Sequence, residues 1–211
     1  MRHLFGIFIE EFMSTIRRLE RILSLVKKSK VNAYLDKLKL QIRLGESWVH
    51  YESNQAFRKR VYHTYKEYVS HQKSKLELMD LSDYDIKYRQ VLRERVKKLN
   101  LLHKGMTALC LAARIGTEVK SFLDLGYFAI GIDLNPGENN RYVVHGDFHD
   151  IQFPPNSVDV VFTNSLDHVY DIKKVINEIR RVLRPKGFLI IEVVSGSGEG
   201  KSPDFYESFW W

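Results

Sequence analysis

Asp133 and Asp147 each close a short apolar run, in Ala129-Ile-Gly-Ile-Asp133 and Val143-Val-His-Gly-Asp147. Carboxylates at the carboxyl ends of successive parallel strands suit a nucleoside: one grips the ribose hydroxyls while the other sits beside the base. A carboxylate accepts two hydrogen bonds side by side, which is what a pair of neighbouring hydroxyls offers. Further along, Asn164, Ser165, Asp167 and His168 follow another apolar run. His168 is the candidate general base there, because imidazole titrates near neutral pH. The plainer alternative is that it caps or packs on the next helix. His145 and His149 border the same region, but no His and acid pair has the spacing of a metal site. Ser195-Gly-Ser-Gly-Glu-Gly-Lys-Ser202 ends like a phosphate-binding loop, yet Ser195 stands where its first glycine belongs and Pro203 follows at once. A mobile loop at the site rim fits that stretch better.

The elements that must carry these residues are short strands alternating with helices. Apolar runs at 107–112, 128–133, 142–145, 158–164 and 187–194 read as strands, and helices are expected at 116–126 and 171–184. Arg184-Pro-Lys-Gly187 should stop the last helix. The pattern predicts an α/β fold: a Rossmann-like, doubly wound, mainly parallel sheet of about five strands. Before Gly105 the chain reads as helical. Residues 31–102 carry an aromatic stripe of Tyr62, Tyr65 and Val69 that continues through Leu76 and Met79, with breaks at Gly45 and Leu81-Ser82-Asp83. Two regions are therefore expected: 1–104, basic and helical, serving as lid, oligomerisation surface or anchor, and 105–211, the sheet domain.

Charge is unevenly spread. Residues 1–100 hold 22 Lys and Arg against 12 acids, while residues 101–211 hold 11 against 14. A basic front half suits either a solvated helical face or contact with an anionic surface. Residues 1–30 have apolar side chains at helical spacing and end in Lys27, Lys28 and Lys30, a pattern that fits packing on the same domain, on a twin subunit in a homo-oligomer, or on a membrane surface. No run approaches the length of an integral membrane segment. The single Cys110, set in an apolar run, excludes internal disulfides and reads as a small core residue. A soluble, cytoplasmic protein is the expectation.

Three blocks occur in order: Asn156-Ser-Val-Asp-Val-Val-Phe162, Ser165-Leu-Asp-His-Val169 and Glu178-Ile-Arg-Arg-Val-Leu-Arg-Pro-Lys-Gly187. Over about residues 84–194 the chain resembles the class I S-adenosylmethionine-dependent methyltransferases, nearest their type 11 group. The resemblance implies that Ala112, Arg114 and Gly116 stand at the three glycines of the cofactor loop, with Cys110 in place of its acid. Ala112 would fit there if its φ is negative. Arg114 would either turn away, leaving Glu118 or backbone groups to serve, or contact the cofactor carboxylate. It further implies Asp133 on the ribose, Leu134 on the adenine, and Asp147 on the adenine amino group beside Phe148. Asn164, Ser165, Asp167 and His168 would face the transferred methyl, where in-line placement and sometimes a base are needed. Tyr62, Tyr65, Tyr68, His63 and His71 could line the acceptor entrance.

The family also has two strands after the fifth, whereas this chain ends at Phe209-Trp-Trp211. It reads as C-terminally truncated, with the tryptophans packed on the sheet or on a partner and the fifth strand's edge open. The implied function is methyl transfer from S-adenosylmethionine to an oxygen or nitrogen nucleophile of a small molecule or glycan. The alternatives are a non-catalytic binding module with a degenerate loop, and a nucleic-acid methyltransferase. The Asn-Pro-Pro-Tyr signature of base-modifying enzymes is absent at Asn164-Ser-Leu-Asp167.

Overall fold

The computed structural model describes residues 47–52, 54–76, 81, 83–193 and 196–211, with single positions 35, 38, 42 and 44. The expected helix over residues 1–30, the break at Gly45, Met79 and the start of the phosphate-loop-like stretch at Ser195 lie outside the described residues. In chain order the elements are β1 (Trp48–Tyr51), β2 (Asn54–Arg60), α1 (Tyr65–Leu76), α2 (Tyr84–Leu99), β3 (Thr107–Leu111) and α3 (Thr117–Asp124). They continue with β4 (Phe128–Asp133), β5 (Val143–His145), β6 (Val158–Thr163), α4 (Ile172–Val182), β7 (Leu183–Ile191) and β8 (Phe209–Trp210).

Five strands form one sheet in the order β5-β4-β3-β6-β7, and every pair in it is parallel. The chain winds outward from β3 to β5, then returns to place β6 on the other side of β3. That reversal opens a crevice at the carboxyl ends of β3 and β6, the place where a parallel open sheet takes its ligand. The α/β, doubly wound sheet expected from the strand pattern is therefore present.

Alternation along β3 shows why the sheet needs cover on both faces. Leu109 and Leu111 enter a core with Val175, Ile179 and Val182 of α4, while Ala108 and Cys110 enter a second core with Leu92 and Val96 of α2 and Val119 and Phe122 of α3. Gly131 of β4 permits a close approach, since a Cβ there would stand 2.8 Å from that of Ala113 and 2.9 Å from Val119. Asp159 latches the amino end of the sheet: its Oδ2 accepts both the N–H and the hydroxyl of Thr107 at 2.8 Å, and its Oδ1 accepts Arg184 at 2.7 Å.

Two expectations change. Residues 48–60 are a strand hairpin and not part of a helical region. It pairs on its far side with β8, giving an antiparallel sheet in the order β1-β2-β8. By internal contacts the chain divides into Met1–Ser47 and Trp48–Trp211, so the hairpin, α1 and α2 belong with the large sheet and not with a separate region ending at residue 104. This stretch read as part of the helical region because a strand with one solvated side carries charges as readily as a helix does. The second change is at β7, which begins at Leu183, opposite Val158, before the expected Pro-Gly turn. Lys186, at φ +66°, turns the Arg184-Pro-Lys-Gly187 segment into a bulge, not a stop.

The terminal aromatic cluster fastens the small sheet to the large one. Phe209 is buried, with its ring 5.3 Å from Tyr51 and 5.8 Å from Phe57. It shares a core with Leu109, Val161 and Ile179. Phe209→Ala should lower the unfolding free energy by about 3 kcal/mol or more, the usual loss for a buried aromatic, as read from a urea titration. An unchanged midpoint would place this ring outside the cooperative core.

Candidate active site

Two adjoining cavities open at the carboxyl edge of the large sheet. Ala112, Arg114, Ser165 and His168 border both. The first is completed by Asp133, Leu134, Gly146 and Phe148 from the sheet edge and by Tyr68 and Gln72 from α1. The second is completed by Tyr84, Ile115, Glu118 and Asn164.

Asp133 ends β4 and spans two loops. Its Oδ2 accepts the Arg114 N–H at 3.0 Å and its Oδ1 accepts the Asn135 N–H at 2.6 Å. Each oxygen keeps a second lone pair. Burial raises the carboxyl above its ordinary range, and the two backbone N–H groups oppose that shift. Asn140 makes a second tie between the same loops by donating to the Arg114 carbonyl at 2.9 Å and the Pro136 carbonyl at 2.7 Å.

The loop after β3 needs left-handed backbone at alternate residues. Ala112 has φ +54°, Arg114 +39° and Gly116 +81°. The condition under which Ala112 would fit easily, a negative φ, is not met. The backbone keeps the shape that glycines would give it and carries the Cβ strain at two positions, about 1–2 kcal/mol for each. At Gly116 a side chain is barred outright, since a Cβ would lie 2.7 Å from that of Tyr142.

Asp147 is placed differently from a group waiting for a ligand. Its Oδ1 accepts the N–H and the ring Nδ1–H of His149, both at 2.8 Å, and its Oδ2 accepts the Tyr65 hydroxyl. Burial alone would raise its pKa, but these hydrogen bonds outweigh that and leave it lowered. His149 Nε2 in turn accepts the N–H groups of Tyr170 at 3.1 Å and Asp171 at 3.2 Å, which fixes the ring as the neutral Nδ1–H tautomer. His149 is thus a buried structural residue. Asp147 itself borders neither cavity, whereas its neighbours Gly146 and Phe148 border the first.

In the second cavity Glu118, buried in the first turn of α3, accepts the Tyr84 hydroxyl at 3.0 Å and the Asn164 amide at 3.2 Å. Burial raises its carboxyl above the ordinary range. Asn164 also reaches the Tyr84 and Tyr88 oxygens, at 3.1 and 3.2 Å, and Tyr88 donates to Glu192. Glu118 and Asn164 are therefore brought together, with α2 supplying two tyrosines that pattern reading did not single out.

Asp167 and His168 lie on a short 3-10 turn, Leu166–His168, after β6. His168 Nδ1 is 3.5 Å from the Nζ of Lys75, which donates to Gln72 Oε1 at 2.9 Å. Lys75 is 1% exposed. Among the described residues no carboxylate pairs with it. Asp167 Oδ1 is buried without a hydrogen-bond partner, 3.8 Å from His168 Nε2. Burial pushes Asp167 up to about 6, against the pull of Lys75. Burial brings Lys75 down to about 7, against the pull of Asp167. Burial, with Lys75 and Arg114 adding to it, holds His168 well below its ordinary value, so the ring is neutral. Lys75 was invisible to pattern reading because the inner face of α1 is polar: its buried residues are Tyr68, His71 and Lys75.

Among the described residues no group of His, Cys, Asp and Glu could hold a metal ion, and no helix is long and apolar enough to cross a membrane.

Two substitutions check this geometry. Ala112→Gly should raise stability by about 1 kcal/mol, because left-handed strain exceeds the chain entropy that glycine adds. Lys75→Met should also stabilise, by about 1–4 kcal/mol at acid pH, the range for replacing buried ionic groups with packed apolar ones. Lys75 is depressed in the folded state, so unfolding takes up protons above about 7 and the wild type gains stability from there toward the ordinary lysine range. The advantage of Lys75→Met should therefore shrink as pH rises through that window. Denaturant titrations at several pH values read both effects.

Residues 109–191 match the family model described as a methyltransferase domain. Solved structures of similar fold include the YcgJ protein of Bacillus subtilis, 20% identical, covering 48% of this chain and 50% of that one with a TM-score of 0.43. A SAM dependent methyltransferase from Aquifex aeolicus is 22% identical, covering 57% and 71% with a TM-score of 0.44. Haemonchus contortus phosphoethanolamine N-methyltransferase 2, solved in complex with S-adenosyl-L-methionine, is 23% identical, covering 50% and 27% with a TM-score of 0.42. The match spans about half the length of YcgJ. No curated protein matches the chain. Residues 109–191, which carry most of the parallel sheet, are thus similar to a methyltransferase domain.

Proposed function

We propose that this protein transfers a methyl group from S-adenosylmethionine to an oxygen or nitrogen nucleophile of a small molecule or glycan. The observation that carries the reading is Asp133, a carboxylate at the strand end beside the switch point, with one lone pair on each oxygen still available for a ribose diol. Leu134 and Phe148 supply apolar surface next to it for a base. The second cavity suits the amino-acid end of the cofactor: Glu118 offers a buried carboxylate for an ammonium, and Arg114 a cation for a carboxylate. Bound there, the cofactor supplies an electrophilic methyl on sulfur.

The chain's own residues do the rest. Asp133 and Glu118 orient, Asn164 holds Glu118 in place, and His168, with Asp167 beside it, borders the space left for the acceptor and its departing proton. Asp147 acts through Tyr65 and His149, tying α1 over the adenine end, in place of a direct hold on the base. Tyr68 and Gln72 wall the acceptor side and leave a small polar basin, which favours a small acceptor over a polymer lying across the surface. A non-catalytic module is the second reading, and the positive φ of Ala112 and Arg114 is the observation that favours it.

Calorimetric titration of S-adenosylmethionine should show saturable binding that weakens at least tenfold in Asp133→Ala, about 1.4 kcal/mol. Glu118→Gln should weaken it as well. Folded wild-type protein that gives no binding would sink the proposal. Binding without methyl transfer across a panel of hydroxyl and amine acceptors would favour the non-catalytic reading.

A further inference from the structure

The buried polar groups between α1 and the segment 204–208 form one hydrogen-bonded chain whose donor directions are forced. His71 Nε2 stands 2.7 Å from the Phe205 carbonyl, which can only accept, so Nε2 carries the proton. His71 Nδ1 must then accept from the Tyr62 hydroxyl at 2.7 Å. The Tyr62 oxygen accepts from Ser208 Oγ at 2.7 Å, and Ser208 Oγ accepts from the Gln72 amide at 3.1 Å. This leaves Gln72 Oε1 toward Lys75, which donates to it at 2.9 Å. Lys75 is the end of that chain, and its next neighbour is His168 Nδ1 at 3.5 Å.

An ammonium at this point donates to Gln72 and to His168 Nδ1, which places the ring proton on Nε2. A neutral amine has two hydrogens and one lone pair. It can keep the donation to Gln72 and offer the lone pair to His168, an arrangement in which the ring carries its proton on Nδ1 and leaves Nε2 as a base. Only loss of the Lys75 proton makes that arrangement available to a ring that borders both cavities.

We propose that Lys75 is the proton reservoir of the acceptor basin, setting the tautomer of His168 and receiving through it the proton that the acceptor loses. This rests on the methyl-transfer reading above. In the step, the bond from sulfur to methyl breaks as the acceptor's bond to methyl forms, and the sulfonium becomes a thioether. The acceptor's proton passes to His168 Nε2 as the Nδ1 proton passes to the Lys75 amine, which ends as the ammonium. Lys75 is a positioning residue here, because it borders neither cavity. The groups facing it are Asp167 and His168 from the turn after β6, Arg114 from the loop after β3, Arg60 from β2, Glu207 from the segment 204–208, and His71 and Gln72 from its own helix. The Tyr206 backbone also faces the His168 ring and opposes the lowering of its pKa.

Nitrogen-15 NMR of the histidine rings tests this in the protein alone, with His168→Gln used to assign the signals. Between about pH 5 and about pH 9, His168 should stay neutral and its protonated nitrogen should change from Nε2 to Nδ1. The midpoint should lie near 7, where Lys75 loses its proton. Lys75→Arg, which keeps the charge, should hold the Nε2–H form throughout, and Lys75→Met should abolish the reversal. One tautomer across the whole range in wild type, a reversal that survives in Lys75→Met, or an imidazolium appearing near pH 6 would each overturn the proposal. No cofactor is needed, so this result stands apart from the calorimetric titration that tests methyl transfer itself.

Discussion

The carboxylate of Asp133 joins two loops that leave neighbouring strands, and the cavity edge depends on that junction. By accepting the Arg114 N–H it holds the loop after β3 in its left-handed turns. By accepting the Asn135 N–H it closes the turn after β4. A buried carboxylate is stable only when its lone pairs are met, so the backbone donors keep it in place as much as it organises them. The parallel sheet brings the two strand ends side by side, and without that register no single side chain could reach both loops.

A different economy rules the α1 side of the cavities. Burying Lys75, His71, Arg60 and the Asp167 carboxylate strips water from groups that could carry charge, and an apolar filling would be more stable. What the polar chain supplies is directionality: a carbonyl at one end and an amine at the other leave each intervening proton a single position. A site that must accept a proton benefits from such order, because the donors and acceptors are already aligned before any substrate arrives.

The large sheet was readable from the chain because its strands are buried on both faces and so appear as continuous apolar runs bounded by turns. The acids at the ends of β4 and β5 were readable for the same reason. The hairpin was not, since Arg58 and Lys59 alternate with only a few apolar positions and resemble a solvated helix. Lys75 escaped because hydrophobic periodicity finds an inner face only when that face is apolar. Asp147 follows β5 by two residues, and Tyr65, its partner across 82 residues, could not be inferred from local pattern. The φ values of Ala112 and Arg114 show a related limit: residue type biases the backbone, and the surrounding hydrogen bonds decide it.

The pairing of β2 with β8 sets an order of events in assembly. Arg58 lies opposite Trp210, and the backbone N–H of Arg60 donates to the Ser208 carbonyl at 2.8 Å. A ribosome delivers residue 58 long before residue 210, so this small sheet cannot close during synthesis of the segment between them. Loop-closure entropy acts in the same direction during refolding, because the joined residues are so far apart in sequence. The large sheet and its cofactor edge can form earlier, and the polar chain from Phe205 to Lys75 is completed only when the last strand docks.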